Sequence, residues 1–218
     1  MLKKIFYFFL LFLAFNRANA QDVQCYDGLA ISQKLKMIRE ADQEIRAKLI
    51  KEMATKNPEA MKKVALEMKT SDRQNQLYIA SLLDQCGWPK GLSAIENNTI
   101  FLVIDHADTA YMSKYFPVLK KQADMGIVAK SDLATLQDRM LLRSGKKQVF
   151  GTQTIKNGQV VTVWPIENPD GLDNRRNQMG LTPMNEYIEL LKKNYQSEVI
   201  WDKDLPIEAA QEKMRKKN

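Results

Sequence analysis

Near Gly145 the hydrophobic period of this chain changes from helical to alternating, and that change does most to limit what it can fold into. Downstream, Gln148 to Ile155 and Gln159 to Trp164 alternate on either side of Asn157-Gly158, the strongest short-range hairpin signal. Upstream, apolar residues recur three and four apart among many Lys, Arg and Glu. The reading is a mainly α chain with one β-hairpin, of the α+β class. It has no internal repeat, low-complexity tract or heptad run.

Breakers and caps divide the helical part. From Leu29 to Met53, Leu35, Ile38, Ile45, Leu49 and Met53 form one stripe, which Asn57-Pro58 interrupts. Pro58 suits the first position of a second helix, running to about Lys69. Thr70, Ser71 or Asp72 is expected to cap a third, with Leu77, Ile79, Leu82 and Leu83 on its inner face. Gly87 and Pro89 end it. These helices read as a packing module that could lean on an envelope partner. Further helices are expected from about Leu92 into the His106 segment, from Asp108 to Gln122 around Pro117, and from Ser131 to Arg143 with Gly145 as the stop. A last helix should run from Leu181-Thr182-Pro183 to about Asn194. The chain divides into a leader (1–20), an N-terminal helical region (21–86), a main domain (87–195) and a basic tail (196–218).

Residues 1–20 have the make-up of an export signal. Lys3-Lys4 precede an apolar run from Ile5 to Phe15, and Ala18-Asn19-Ala20 is a small-x-small cleavage site. A spanning helix needs roughly 20 apolar residues, and the longest later run is only Ile100 to Ile104. The expectation is an exported, soluble protein, periplasmic or extracellular, with no stable membrane span once the leader is cut. Lys3, Lys4 and Arg17 leave with it, so the formal charge of +7 falls by three to +4. Part of that remainder is the run from Lys213 to Lys217, expected to be a solvated end. Export together with this modest charge argues against a nucleic-acid partner. Cys25 and Cys86 are the two cysteines, and an oxidising compartment favours a bridge between them. The other reading is two unpaired thiols, one of them buried. No C-x-x-C redox pair is present.

Scarce polar residues cluster between Gly87 and Leu181. His106 is the only histidine, three and four residues after Val103 and Leu102, so a helix would aim its imidazole inward. It could be a structural histidine satisfied by a carboxylate, or a general acid or base oriented by Asp108 or Asp138. One histidine is too few for the usual zinc site, and neither a metal nor a cofactor is expected. Asp138 has Ala134, Leu141 and Leu142 as helical neighbours, so it needs a partner to stay charged. Arg139 leaves the helix about 100° away, which makes Arg175, Arg176 or His106 the better partners. A turn at Asn157-Gly158 would pair Gln153 with Thr162 and Gly151 with Trp164. Gln153, Gly151 and Trp164 would then share a face opposite Phe150, Val161 and Val163. That face could wall a binding cleft, or be ordinary cross-strand packing with Gly151 as a bulge. Arg139, Arg175 and Arg176 carry the fork that suits carboxylate or phosphate groups, although such residues also serve internal pairs.

Taken in order, Gly87-Trp88-Pro89, His106-Ala107-Asp108, Asp138-Arg139, Gly151-Thr152-Gln153 and Arg175-Arg176 with Gly180-Leu181 resemble an uncharacterised, often exported bacterial family known as a domain of unknown function. The resemblance spans Leu77 to Tyr187. It implies a shared fold and a common site at these positions, and no reaction. Asp105 stands where the family usually has Gln, and Phe150 where Tyr is common. Neither a G-x-S-x-G elbow nor an H-E-x-x-H motif is present. The leading reading is a polar cleft for a small or peptide-like ligand. The alternatives are a hydrolase using His106 with Asp108 or Asp138 on activated water, and an envelope scaffold.

Overall fold

The structure, a computed structural model, describes residues 25, 27–55 and 57–215. The leader reading falls on residues outside these. The chain forms α1 (Gly28–Thr55), α2 (Pro58–Cys86), α3 (Ala94–Asp105), α4 (Thr109–Asp124) and α5 (Lys130–Arg143). Then come β1 (Thr154–Asn157), β2 (Val160–Val163), a 3-10 turn (Pro169–Gly171), α6 (Leu172–Gln178), α7 (Met184–Tyr195), β3 (Glu198–Ile200) and α8 (Ile207–Arg215). The protein is mainly α with a small three-stranded sheet, as the change of period implied. Among the described residues no helix is long and apolar enough to cross a membrane.

Local chemistry explains most boundaries. The Asn57 side chain accepts from Ala60 N and Pro58 starts α2. Ser93 and Glu96 close a capping box on α3. The Asp108 side chain accepts from Tyr111 N and opens α4, which carries Pro117 internally. α5 starts one residue before Ser131, and Gly145 at φ +67° follows its end.

The expected break at Thr70 to Asp72 does not occur. Thr70 donates its hydroxyl to Leu66 O within the helix, and Asp72 pairs with Arg46 of α1 at 2.9 Å. Polar side chains that find such partners have no need to end a helix. One 29-residue α2 results.

The main core joins both halves of the chain. Leu35 and Ile38 of α1, Ile79 and Leu82 of α2, Ile100 and Ile104 of α3, Met112 and Leu119 of α4 and Leu136 of α5 are all buried together. The N-terminal helices therefore share one core with α3 to α5.

The hairpin register differs from the expected one. Asn157 pairs with Val160 and Thr154 with Val163, leaving Gly158-Gln159 as the two-residue loop. Glycine at the first loop position, here at φ +60°, is the order that type II′ turns prefer. Asn157 keeps its place in the ladder. β3, not foreseen, lies parallel to β2 and gives the order β1-β2-β3.

Both hairpin faces are covered. Val161, Val163 and Val199 pack on Leu172 of α6 and on Met184 and Leu191 of α7. Ile155 and Trp164 pack on Leu205 and Ala210. The basic tail from residue 196, of which only Lys213 to Lys217 was expected to be a solvated end, thus carries β3 and α8. Its basic residues lie on the outer side of a helix whose Ala210 is fully buried. Trp164, expected on an open surface, is 0% exposed and donates its indole N–H to Lys146 O.

Candidate functional site

His106 caps the end of α3 and bonds Asp42 of α1, Nδ1 to Oδ1, at 3.0 Å. Arg46 joins the same group, with Nη2 at 2.9 Å from both Asp42 and Asp72. Asp42 was not foreseen as the partner. It falls in line with Leu35 and Ile38, on the buried stripe of α1. Burial raises its pKa, but the hydrogen bond and charge of His106, followed by Arg46, outweigh this and hold the carboxyl below its ordinary range. A depressed carboxyl stabilises the fold above its unfolded pKa and loses that contribution as pH falls through the folded one. Replacing His106 with Ala should therefore raise the Asp42 pKa and move acid unfolding to higher pH. At neutral pH the loss should be about 1–2 kcal/mol, because Arg46 still holds Asp42. Carboxyl NMR titration with denaturant melts at several pH values checks both. An unmoved Asp42 titration would show that the two do not interact.

The rest of the His-Ala-Asp motif is a helix corner. The Ala107 carbonyl accepts from Arg143 Nη1 and Asp108 is the cap of α4. His106 is thus brought to Asp42, and among the described residues it bonds neither Asp108 nor Asp138.

Asp138 is 0% exposed and faces the loop 148–153. Its Oδ1 accepts from Val149 N at 2.8 Å and Phe150 N at 3.1 Å, and its Oδ2 from Thr152 N and Thr152 Oγ1 at 3.0 Å each. Burial raises its pKa, opposed by the backbone bonds from Thr152, Val149 and Phe150. The expected arginine partners act on the same loop from the other side. Arg175 donates to Val149 O, and Arg176 Nη1 donates to Phe150 O at 2.7 Å. A carboxylate takes the loop's N–H groups while two guanidiniums take its C=O groups, so the residues that looked like an ion pair clamp one backbone segment. Gln148, not singled out in advance, completes the clamp. Fully buried, it donates to Trp164 O and accepts from Gln153 N. This wrapping also shortens the first strand, which starts at Thr154 and not at Gln148.

Gly151 turns within that loop at φ +73°, and a Cβ there would lie 2.9 Å from Ile166 Cδ1 and 3.3 Å from Met184 Sδ. Backbone strain and crowding add, so Gly151→Ala should destabilise by about 2 kcal/mol, read from urea unfolding. A neutral result would mean the loop is free to change conformation.

Beside the loop lies a cleft of about 380 Å3. α5 lines it with Thr135 and Arg139, the loop with Thr152 and Gln153, α6 with Arg176, and α7 with Tyr187. Of the expected ligand-binding residues, Arg139, Gln153 and Arg176 meet here. Asp138 lies beneath the loop, Arg175 on its far side, and Trp164 in the core. Arg139 Nε pairs with Asp105 at 2.7 Å, the Tyr187 hydroxyl donates to Thr152 O, and the Arg176 guanidinium stacks 4.7 Å from the Tyr187 ring. Tyr187 was missed, although Met184, Tyr187, Leu191 and Tyr195 are spaced three and four apart and mark one helical stripe. Larger grooves of about 830 and 630 Å3 run along Trp88 to Leu92, but gather none of the expected site residues apart from Cys25 and Cys86. Size alone is a poor guide to a binding site, and convergent polar groups are a better one. The cleft offers hydrogen-bond donors and hydroxyls.

Residues 29–200 match the family described as "Family of unknown function (DUF6624)". The chain belongs to that family. The match begins within α1 and ends at the last residue of β3, so it takes in the N-terminal helices and the sheet as well as the motif-bearing centre. No curated protein and no solved structure matches the chain.

Proposed function

We propose that this family member binds a small polar ligand in the cleft between α5, the loop 148–153 and α7, and that it works outside the cytoplasm. The observation that carries the first part is convergence. Four segments distant in sequence supply Arg139, Gln153, Arg176 and Tyr187 to one concavity, at a volume typical of small-molecule sites. The clamp on the loop holds Thr152 and Gln153 in place before any ligand arrives, which lowers the ordering cost of binding. The extracytoplasmic assignment draws on Cys25 and Cys86, which lie at disulfide distance, with Cα atoms 5.4 Å apart.

The hydrolase alternative has less support. His106 is engaged with Asp42, and the cleft lining contains no histidine or carboxylate to act as a base. The test is a fragment screen on the isotopically labelled protein, followed by amide shift mapping. Binders are expected to move Thr152, Gln153, Arg176 and Tyr187. Binders that map only to the grooves along Trp88, or a screen with no binders, would defeat the proposal.

A further inference from the structure

Arg176 is only 1% exposed, yet none of its hydrogen bonds goes to a carboxylate. Its Nε donates to Thr182 O at 2.6 Å, and its Nη1 to Phe150 O at 2.7 Å with a weaker contact to Gly151 O at 3.4 Å. Among the described residues its Nη2 bonds no acceptor. Asp173 and Asp138 act on it only through space, and both are engaged elsewhere, Asp173 with Met184 N and Asp138 with the loop. Neutral donors could satisfy those three carbonyls. A buried cation costs several kcal/mol unless a counter-charge meets it, and carbonyls supply dipoles without charge. The residue that carries this positive charge also lines the cleft.

The rest of the lining has the same sign. Arg139 uses Nε on Asp105, and its two Nη groups bond no acceptor among the described residues. Its side chain is 31% exposed, in reach of solvent. No Asp or Glu is among the lining residues, and the Asp138 carboxylate is covered by Thr152. Lys156 stands over the ring of Tyr195, another lining residue, at 5.6 Å. A buried guanidinium with no carboxylate bonded to it, a second guanidinium with donors to spare, and no acid on the walls make a receptor for an oxyanion.

We infer that the cleft binds a small molecule through a carboxylate or phosphate group, which takes Arg176 Nη2 and the Nη groups of Arg139 as its donors. This rests on the cleft being a binding site and adds the chemical class of what it holds. A cation or an uncharged ligand would leave Arg176 with no carboxylate or phosphate bonded to it.

The test uses the 15N-labelled wild-type protein, titrated separately with inorganic phosphate, succinate and succinamide at constant ionic strength set with sodium chloride. Phosphate or succinate should shift the amides of Thr152, Gln153, Arg176 and Tyr187 saturably, and succinamide, the uncharged analogue, should not. Saturation by phosphate alone assigns a phosphorylated ligand, and by succinate alone a carboxylate one. Arg139→Gln should weaken the anion about tenfold, the loss expected for one charge-assisted hydrogen bond. Arg139→Lys keeps the charge facing Asp105 and should recover part of the affinity, so a folding failure of the first variant leaves the second to decide. Unchanged affinity in both variants would overturn the role of Arg139. Anion shifts that never saturate, or that scatter over surface lysines, would overturn the inference. If succinamide or an uncharged fragment shifts these four amides and the anions do not, the binding site stands and the anion assignment falls. If nothing shifts them, both fall.

Discussion

Replacing Asp138 with alanine should cost this protein about 3–5 kcal/mol, the largest loss expected from any single polar side chain in it. Three backbone N–H groups, of Val149, Phe150 and Thr152, would lose their acceptor together. Each stranded buried donor costs about 1–3 kcal/mol, and partial opening of the loop to water keeps the sum towards its lower end. For a domain of this size that is roughly a 10 °C fall in Tm. Asp138→Asn should cost less, because one oxygen still accepts while the new NH2 group faces donors. The clamp also orders Thr152 and Gln153, so both variants should lose cleft binding along with stability. Calorimetry of the variants is the check, and a loss under about 1 kcal/mol for alanine would show that the arginines alone hold the loop. The pH behaviour adds a second signature. A carboxyl whose pKa is raised on folding keeps its proton longer in the native state than in the unfolded one. Its contribution to stability therefore declines as pH rises from the ordinary carboxylate range through the folded value. Asp42, depressed on folding, runs the opposite way, so Asp138→Asn and His106→Ala should reshape the acid limb in opposite senses.

What could be read in the sequence follows from what is local. Asn57-Pro58 and Asp108 act on backbone groups within three residues of themselves, and each helix start they mark is observed. The inward aim of His106 and the unease of Asp138 on an apolar helix face were legible for the same reason, since both depend only on helical spacing. Their partners were not. Asp42 is 64 residues from His106, and the acceptors and donors of the 148–153 loop are main-chain atoms, which a search for complementary side chains overlooks. The Thr70 to Asp72 break failed because a side chain that favours caps can instead be satisfied across a helix pair. Alternation put Trp164 opposite Val161 and Val163, as observed, but did not show the neighbours that cover its face. β3 and α8 arrive from the basic C-terminal stretch, where Val199 covers the valine face and Leu205 with Ala210 buries Trp164 on the side that alternation alone leaves open. Arg139, Gln153 and Arg176 did converge, although Trp164 and Arg175, proposed beside them, serve the scaffold.

The second large effect concerns the opposite end of the molecule. α1 and α2 are antiparallel, with Thr55 and Pro58 close in sequence at one end, and Cys25 and Cys86 meet at the other. Closing a loop with a separation of 61 residues restricts the unfolded chain by about 4 kcal/mol in loop-closure entropy. The protein with both cysteines changed to serine should be less stable by that amount, reduced by whatever strain the native bridge carries. Loss should begin at the start of α1, where Ile31 and Leu35 leave the core first and the exposed Leu29 offers no compensation. Hydrogen exchange should show the first turns of α1 opening well before α3 to α5, because the central helices keep their own shared core. Peptide mapping of non-reduced protein taken from the cell envelope should give the Cys25–Cys86 pair. Two titratable thiols per chain in that material, or a double variant within about 1 kcal/mol of the parent, would remove the bridge as a source of stability. It would also remove the main physical support for an oxidising compartment. Since α1 also carries Asp42, the bridge should act at a distance. Freeing the start of α1 weakens the hold of Asp42 on His106, so the double serine variant should shift the acid limb in the same direction as His106→Ala, though by less.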